Sequence, residues 1–146
     1  MELFYRKYGT GKPLVILHGL FGSGDNWMTQ ARMLGEHFAV YAVDLRNHGS
    51  SPHADKFSYA EMAEDVRLFL TEKVGEPAIL IGHSMGGKVA MKVAGMYPDL
   101  ITRLIVVDIV PKAYPLIISI LWMHCVRWKQ KNFQVARRQM KFLASQ

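Results

Sequence analysis

The sequence has a single cysteine, Cys125, so no intrachain disulfide is available and a reducing, cytoplasmic compartment is the expected setting. It also lacks a long apolar run. The longest, Pro115 to Met123, is far short of the roughly 20 residues that a membrane-spanning helix needs, so stable membrane insertion is not expected. The first residues, Met1-Glu2-Leu3-Phe4-Tyr5-Arg6-Lys7, contain neither an apolar core nor a small-residue cleavage site and do not read as a secretory signal. The histidines show no metal-ligand spacing with Asp, Glu or Cys, so no metal is expected, and no cofactor either. Acid is missing from one end. Residues 112–146 carry seven Lys+Arg and no Asp or Glu, against eleven and twelve in residues 1–111. The net charge of +6 therefore belongs to the tail. A nucleic-acid partner would rest on that charge alone, with no groove-reading motif beside it, and is not expected.

What is present is material for one domain with a real core: 146 residues, 50% hydrophobic and 11% aromatic. Residues 3–8 read as a strand ended by the turn Gly9-Thr10-Gly11-Lys12-Pro13. Leu14-Val15-Ile16-Leu17 is continuous and apolar, the pattern of a strand buried on both faces of a parallel sheet. A Gly-rich loop, residues 18–24, leads to an amphipathic helix with apolar residues at 27, 31 and 34 and Asp25 or Asn26 as its N-cap. Residues 38–43 form a third strand, followed by a polar loop over 44–56. A helix then starts at Ser58, with Glu61 completing a capping box and an apolar face of Tyr59, Met62, Ala63, Val66, Phe69 and Leu70. Strand 77–81, a helix to about Tyr97 and an apolar strand over 101–107 complete the pattern. Strands alternating with helices argue an α/β fold with a doubly wound, mostly parallel sheet and helices on both faces. In such a sheet, functional groups belong at the carboxyl ends of the strands, where His18, Asp44, Ser84 and Asp108 fall.

The sharpest motif is Gly82-His83-Ser84-Met85-Gly86, between a strand and a helix. In that setting Gly-x-Ser-x-Gly is a nucleophile elbow: a strained turn presents the serine hydroxyl, and the glycines let strand and helix approach. The alternative is a plain turn serine. Ser84 is the candidate nucleophile, and the backbone N–H of Met85, the next residue, is a candidate oxyanion donor.

Three motifs together, His18-Gly19, Asp44-Leu45-Arg46-Asn47-His48-Gly49-Ser50-Ser51 and Gly82 to Gly87, resemble those of the α/β-hydrolase superfamily in order and spacing. With Val106-Val107-Asp108-Ile109 they are most similar to small esterases of the YbfF/ABHD11 type. The resemblance covers residues 1 to about 115, the N-terminal portion of a fold whose members run to about 250 residues. It implies that the final strands, and the distal triad histidine they carry, are absent from this chain. It implies a carboxylesterase-like serine hydrolase whose partner is a small-molecule acyl ester or thioester, cleaved through an acyl-enzyme on Ser84. For want of the histidine, activity is expected to be impaired. Leu20 resembles the second oxyanion donor, with Phe21 as the fallback. Asp108 resembles the triad acid, although many relatives carry that acid one strand later. His18 and His83 stand at non-catalytic positions of the motifs, structural or pocket-lining, and with Phe21 are the candidate substrate-binding residues. His48 braces its own loop, Asp44 is a structural partner of that loop, and His37 and His53 face solvent.

His124 is the only histidine beyond Asp108, but it lies 16 residues on with no final strand and helix between, so it is not the expected general base. The fold also admits C–C bond hydrolases, lyases, cofactor-free haloperoxidases and non-catalytic remnants that act as binding modules. Residues 116–146 are atypical. They read either as a basic helix lying on a membrane or acyl surface, or as the product of a frame change near residue 115.

Overall fold

The computed structural model describes residues 1–108. The basic tail at 116–146, with His124 and Cys125, and the end of the expected core at 109–115 lie outside the described residues. Five strands, β1 (Tyr5–Tyr8), β2 (Pro13–Leu17), β3 (Ala39–Val43), β4 (Ala78–His83) and β5 (Ile101–Val107), form one sheet in the order β1-β3-β2-β4-β5. Among the described strands only β1 runs antiparallel to its neighbour; the other pairings are parallel. Three helices, α1 (Met28–Leu34), α2 (Tyr59–Phe69) and α3 (Met85–Met96), connect the parallel strands.

The expected α/β architecture with helices on both faces is what forms, and the period of two within the strands shows why. In β2, Val15 and Leu17 join a large cluster with Met62, Val66, Val89 and Val93, from α2 and α3. Leu14 and Ile16 point the other way, into a smaller cluster with Ala31 and Leu34 of α1. Tyr41 and Val43 of β3 face the first cluster, Val40 and Ala42 the second. A strand buried on both faces has no polar alternation to show, which is why β2 reads as one apolar run.

Local differences have local causes. The first helical turn after the Gly-rich loop is a 3-10 turn, Gly24–Trp27, capped by Ser23 rather than by Asp25 or Asn26. Ser23 Oγ accepts from Asp25 N at 3.3 Å, and Asn26 returns its side-chain oxygen to Ser23 N at 2.7 Å. Asp25 is instead paired with Arg6 at 2.6 Å. At Ser58 only half of the capping box forms: Ser58 Oγ accepts from Glu61 N at 3.2 Å, while Glu61 turns to Arg46. Tyr59 leaves the buried face of α2 and lies exposed under Lys88. The α2 segment continues through one wide turn, Leu70–Val74, and stops at Gly75, whose φ of 77° suits only glycine comfortably. The first strand begins at Tyr5 because Phe4 bonds elsewhere: its N–H donates to Ser51 Oγ at 2.8 Å, and its carbonyl accepts from Asp44 N at 2.9 Å. Among the described residues no helix is long and apolar enough to cross a membrane.

The register positions the site. Leu17 pairs with Val43 on one side and Gly82 on the other, and His83 pairs with Val107. The residues that follow, His18, Asp44, Ser84 and Asp108, therefore line one edge of the sheet. After β2 the chain steps to β3 on one side and then crosses to β4 on the other. The point where the winding reverses lies between His18 and Ser84, where an open α/β sheet forms its ligand crevice.

Candidate active site

Ser84 is half-buried between β4 and α3, with φ 49° and ψ −113°. A residue with a β-carbon in that region is strained and persists only when its surroundings over-determine it. They do so here. Ser84 N–H donates to Val107 O at 3.0 Å, tying the turn to the end of β5. A β-carbon at Gly82 would collide with the carbonyl of Gly86, and one at Gly86 would overlap the carbonyls of His18 and Leu17. Both motif glycines are thus demanded by close backbone approach. The first intrahelical bond of α3 is Lys88 N–H to Ser84 O at 3.2 Å. The N–H groups of Met85, Gly86 and Gly87 precede it and have no acceptor within the helix, so this terminus favours an anion.

The facing loop is held rigidly. Gly22 N–H donates to Gly19 O at 3.0 Å, closing a tight turn over Leu20 and Phe21, with Phe21 at φ 59°. The same carbonyl receives the His18 ring nitrogen Nδ1 at 2.7 Å. Across a trans peptide, C=O and N–H point in opposite directions, so fixing Gly19 O also fixes Leu20 N–H. The position of a β-carbon at Gly19 lies 3.4 Å from Ser84 Cβ and 2.8 Å from His83 Nδ1, which puts this loop against the elbow.

His18 is 1% exposed and both ring nitrogens are engaged. Nε2 accepts from Leu45 N–H at 3.0 Å, so the neutral ring carries its proton on Nδ1 and donates it to Gly19. Burial pushes its pKa below the usual 6.5, against the weaker opposing effect of the Gly19 bond. Asp44 bridges the same two loops: Oδ1 accepts from Gly24 N–H at 2.6 Å and Oδ2 from Ser50 N–H at 2.8 Å. His48 Nδ1 bonds its own loop at Arg46 O, 2.8 Å away, and His37 and His53 are exposed.

Asp108 follows β5 immediately, at φ 53° and exposed to solvent. Its Oδ2 lies 3.6 Å from His83 Nε2, and the His83 ring packs edge-on to Trp27. The structure therefore brings Ser84, Met85, Leu20, Phe21, His18, His83 and Asp108 to one end of the sheet. It does not join the Ser84 hydroxyl to a histidine by any hydrogen bond among the described residues, and His124 lies outside them. Nor do three His, Cys, Asp or Glu side chains converge as a metal site among the described residues. Sequence reasoning missed Phe57 and Trp27 as neighbours of the site. Phe57 directly precedes the Ser58 cap, where an apolar residue ordinarily staples onto the helix. Instead it is 46% exposed and lies near the His48 ring.

The profile of a family described as "alpha/beta hydrolase fold" matches residues 12–142. The chain is 50% identical over 103 residues to the "sn-1-specific diacylglycerol lipase ABHD11" of Xenopus laevis, covering 69% of this chain and 33% of that one. It is 38% identical over 108 residues to "Ethanol acetyltransferase 1" of Cyberlindnera jadinii, covering 73% and 32% respectively. Among solved structures it is similar to a "Marine microorganism esterase", with a TM-score of 0.75, 50% identity, and coverage of 85% of this chain and 48% of that one. The chain thus spans about a third of the length of these curated relatives and about half of that structure.

Proposed function

Given a chain that belongs to the α/β-hydrolase fold family, we propose that it carries the nucleophile half of a carboxylesterase-like serine hydrolase acting on short or medium acyl esters or thioesters. The observation that carries this is the Ser84 elbow: a strained serine at a helix N-terminus, with glycines where any side chain would collide. Ser84 Oγ attacks the acyl carbon, and the carbonyl oxygen becomes an oxyanion facing the N–H groups of Met85 and Leu20. Two preorganised donors of this kind stabilise the transition state by several kcal/mol. The C–O or C–S bond then breaks, the alcohol or thiol leaves with a proton, and water releases the acyl group from Ser84. Asp108 is the acid that would orient an imidazole base. Among the described residues His83 stands beside Asp108, but no histidine there bonds the Ser84 hydroxyl, so the imidazole base of a working triad would come from outside residues 1–108. Support comes from the names of the relatives. One is named a diacylglycerol lipase and another an ethanol acetyltransferase, and both names describe movement of an acyl group.

The test pairs a fluorophosphonate label with hydrolysis of p-nitrophenyl acetate and butyrate, on the full chain and on Ser84→Ala. Label and hydrolysis are both expected to depend on Ser84. Hydrolysis that survives the substitution would remove Ser84 from the reaction. A folded chain that takes no label supports the binding-module reading instead.

A further inference from the structure

Asp65 is the anomaly of α2. The other residues that this helix buries are Met62, Ala63, Val66 and Phe69, and among them stands a carboxylate only 1% exposed. Burying a charge costs free energy unless the charge is matched, and this one is. Asp65 Oδ2 accepts from Arg46 Nε at 2.5 Å, and Oδ1 accepts from the Met1 ammonium at 2.6 Å. Arg46 is buried too; its Nη1 donates to Lys56 O at 2.7 Å and reaches Glu61 Oε2 at 3.4 Å. A buried ion pair is weak evidence for stability, because apolar side chains of similar volume commonly serve as well. What this pair supplies is direction: a planar guanidinium held at Nε and at Nη1 fixes the backbone that carries it.

That backbone leads to the site. Leu45, the residue before Arg46, donates its N–H to His18 Nε2 at 3.0 Å, and Arg46 O accepts from His48 Nδ1 at 2.8 Å. His18 Nδ1 donates to Gly19 O at 2.7 Å, on the peptide whose other end is Leu20 N–H. The bonds from Asp65 to Arg46, from Leu45 to His18 and from His18 to Gly19 are all buried, so water does not compete for them. On its other side α2 packs against α3, Met62 and Val66 sharing one cluster with Val89 and Val93, and Glu64 accepts from Tyr97 Oη at 2.9 Å. Asp65 thus stands between the helix pair that carries Met85 N–H and the loop that carries Leu20 N–H.

We propose that Asp65 is a positioning residue of the oxyanion site, which through Arg46 and His18 sets the Leu20 N–H against the Met85 N–H. The proposal rests on the acyl-transfer reading of Ser84 and of those two donors. Asp65 touches no reacting atom. It acts on the angle of one peptide, Gly19–Leu20, and a misplacement of about 1 Å at such a group can cost about 100-fold in rate.

The test compares the full chain with the double variant Arg46→Met/Asp65→Leu and with Asp65→Asn. Three quantities are read: ¹H–¹⁵N spectra of the Leu20 amide and the His18 ring, the rate of Ser84 labelling by a fluorophosphonate, and the urea midpoint. The double variant replaces the ion pair with apolar bulk, so its midpoint should fall little or rise. The Leu20 amide and the His18 Nδ1–H resonance should nevertheless shift, and labelling should slow about tenfold or more. Asp65→Asn keeps an acceptor for Arg46 and should move the same two resonances less. Lys73→Gln breaks the exposed pair of Lys73 with Glu2, just past α2, and should change none of the three.

A folded double variant that labels at the wild-type rate makes the ion pair a purely structural contact and overturns the proposal, whether or not the resonances move. Should the double variant not fold, Asp65→Asn decides by the same readings. A wild-type chain that takes no label sinks the acyl-transfer reading, and the spectra then still decide whether Asp65 sets the Leu20 peptide. Normal labelling of Ser84, with Leu20 and His18 unmoved in both variants, sinks the positioning role and leaves that reading standing.

Discussion

Two loops meet at the carboxyl edge of the sheet, residues 18–24 after β2 and residues 44–51 after β3, and they are built on opposite rules. In the second loop the polar groups are inside. Asp44, Arg46 and Ser51 are buried, and each is matched: Asp44 to Gly24 and Ser50, Ser51 Oγ to Asp44 O at 2.6 Å, Arg46 to Asp65 at 2.5 Å and to Lys56 O at 2.7 Å. In the first loop the apolar groups are outside, with Leu20 52% and Phe21 93% exposed. A satisfied, buried polar network rigidifies its surroundings, whereas exposed apolar residues on a strained turn stabilise nothing in the protein itself. The contrast separates a loop that holds the site from a loop that presents it.

The largest effect that breaks this contrast is expected at Asp44. Asp44→Ala orphans the buried Gly24 N–H and frees the part-buried Ser50 N–H to water, and should cost about 1–3 kcal/mol. Asp44→Asn keeps one acceptor and should cost less, both read as denaturant midpoints at unchanged m-value. An exposed or solvent-satisfied Asp44 would show no such loss.

His18 supplies the next effect, as a pH dependence. Its folded pKa lies below 6.5, so between the folded value and 6.5 the unfolded chain binds a proton that the folded chain declines. Stability is therefore complete above pH 6.5 and falls as the pH drops below it, with a ceiling of about 1.4 kcal/mol per pH unit for one proton. His18→Asn, less stable throughout, should lose less between pH 7 and pH 5 in urea melts. An unchanged slope would mean that His18 protonates in place.

The smallest effect is a gain. Phe21→Gly relieves a left-handed backbone at an exposed position and should raise stability by about 0.5–1 kcal/mol, because the relief of αL strain exceeds the added freedom of the unfolded chain. A loss of stability in thermal or urea melts would mean that the Phe21 ring packs onto the fold.

The elbow was legible in the residues because its chemistry leaves little choice: Gly82 and Gly86 are where strand, helix and β2 touch backbone to backbone. The strands were legible because burial on both faces demands uninterrupted apolar runs. The caps were less so. Ser23, Asp25 and Asn26 are all good N-cap types, and only the reciprocal bond between Ser23 and Asn26 and the pairing of Asp25 with Arg6 select among them. Phe57 gave no signal at all, because only the fold shows that the residue before the Ser58 cap stays uncovered.

By itself the sequence determined the order of strands and helices, the serine in its turn, and the asymmetry of charge that sets the tail apart. All of these depend on neighbours in the chain and on periods of two and of three to four residues. Tertiary structure alone decided that β2 lies between β3 and β4, that His18 has both nitrogens taken, and that Asp108 ends beside His83. It also decided which apolar residues of the Gly-rich loop stay in water. Those outcomes rest on pairings between segments far apart in the chain, and burial and hydrogen bonding at such pairings are settled only once the sheet has closed.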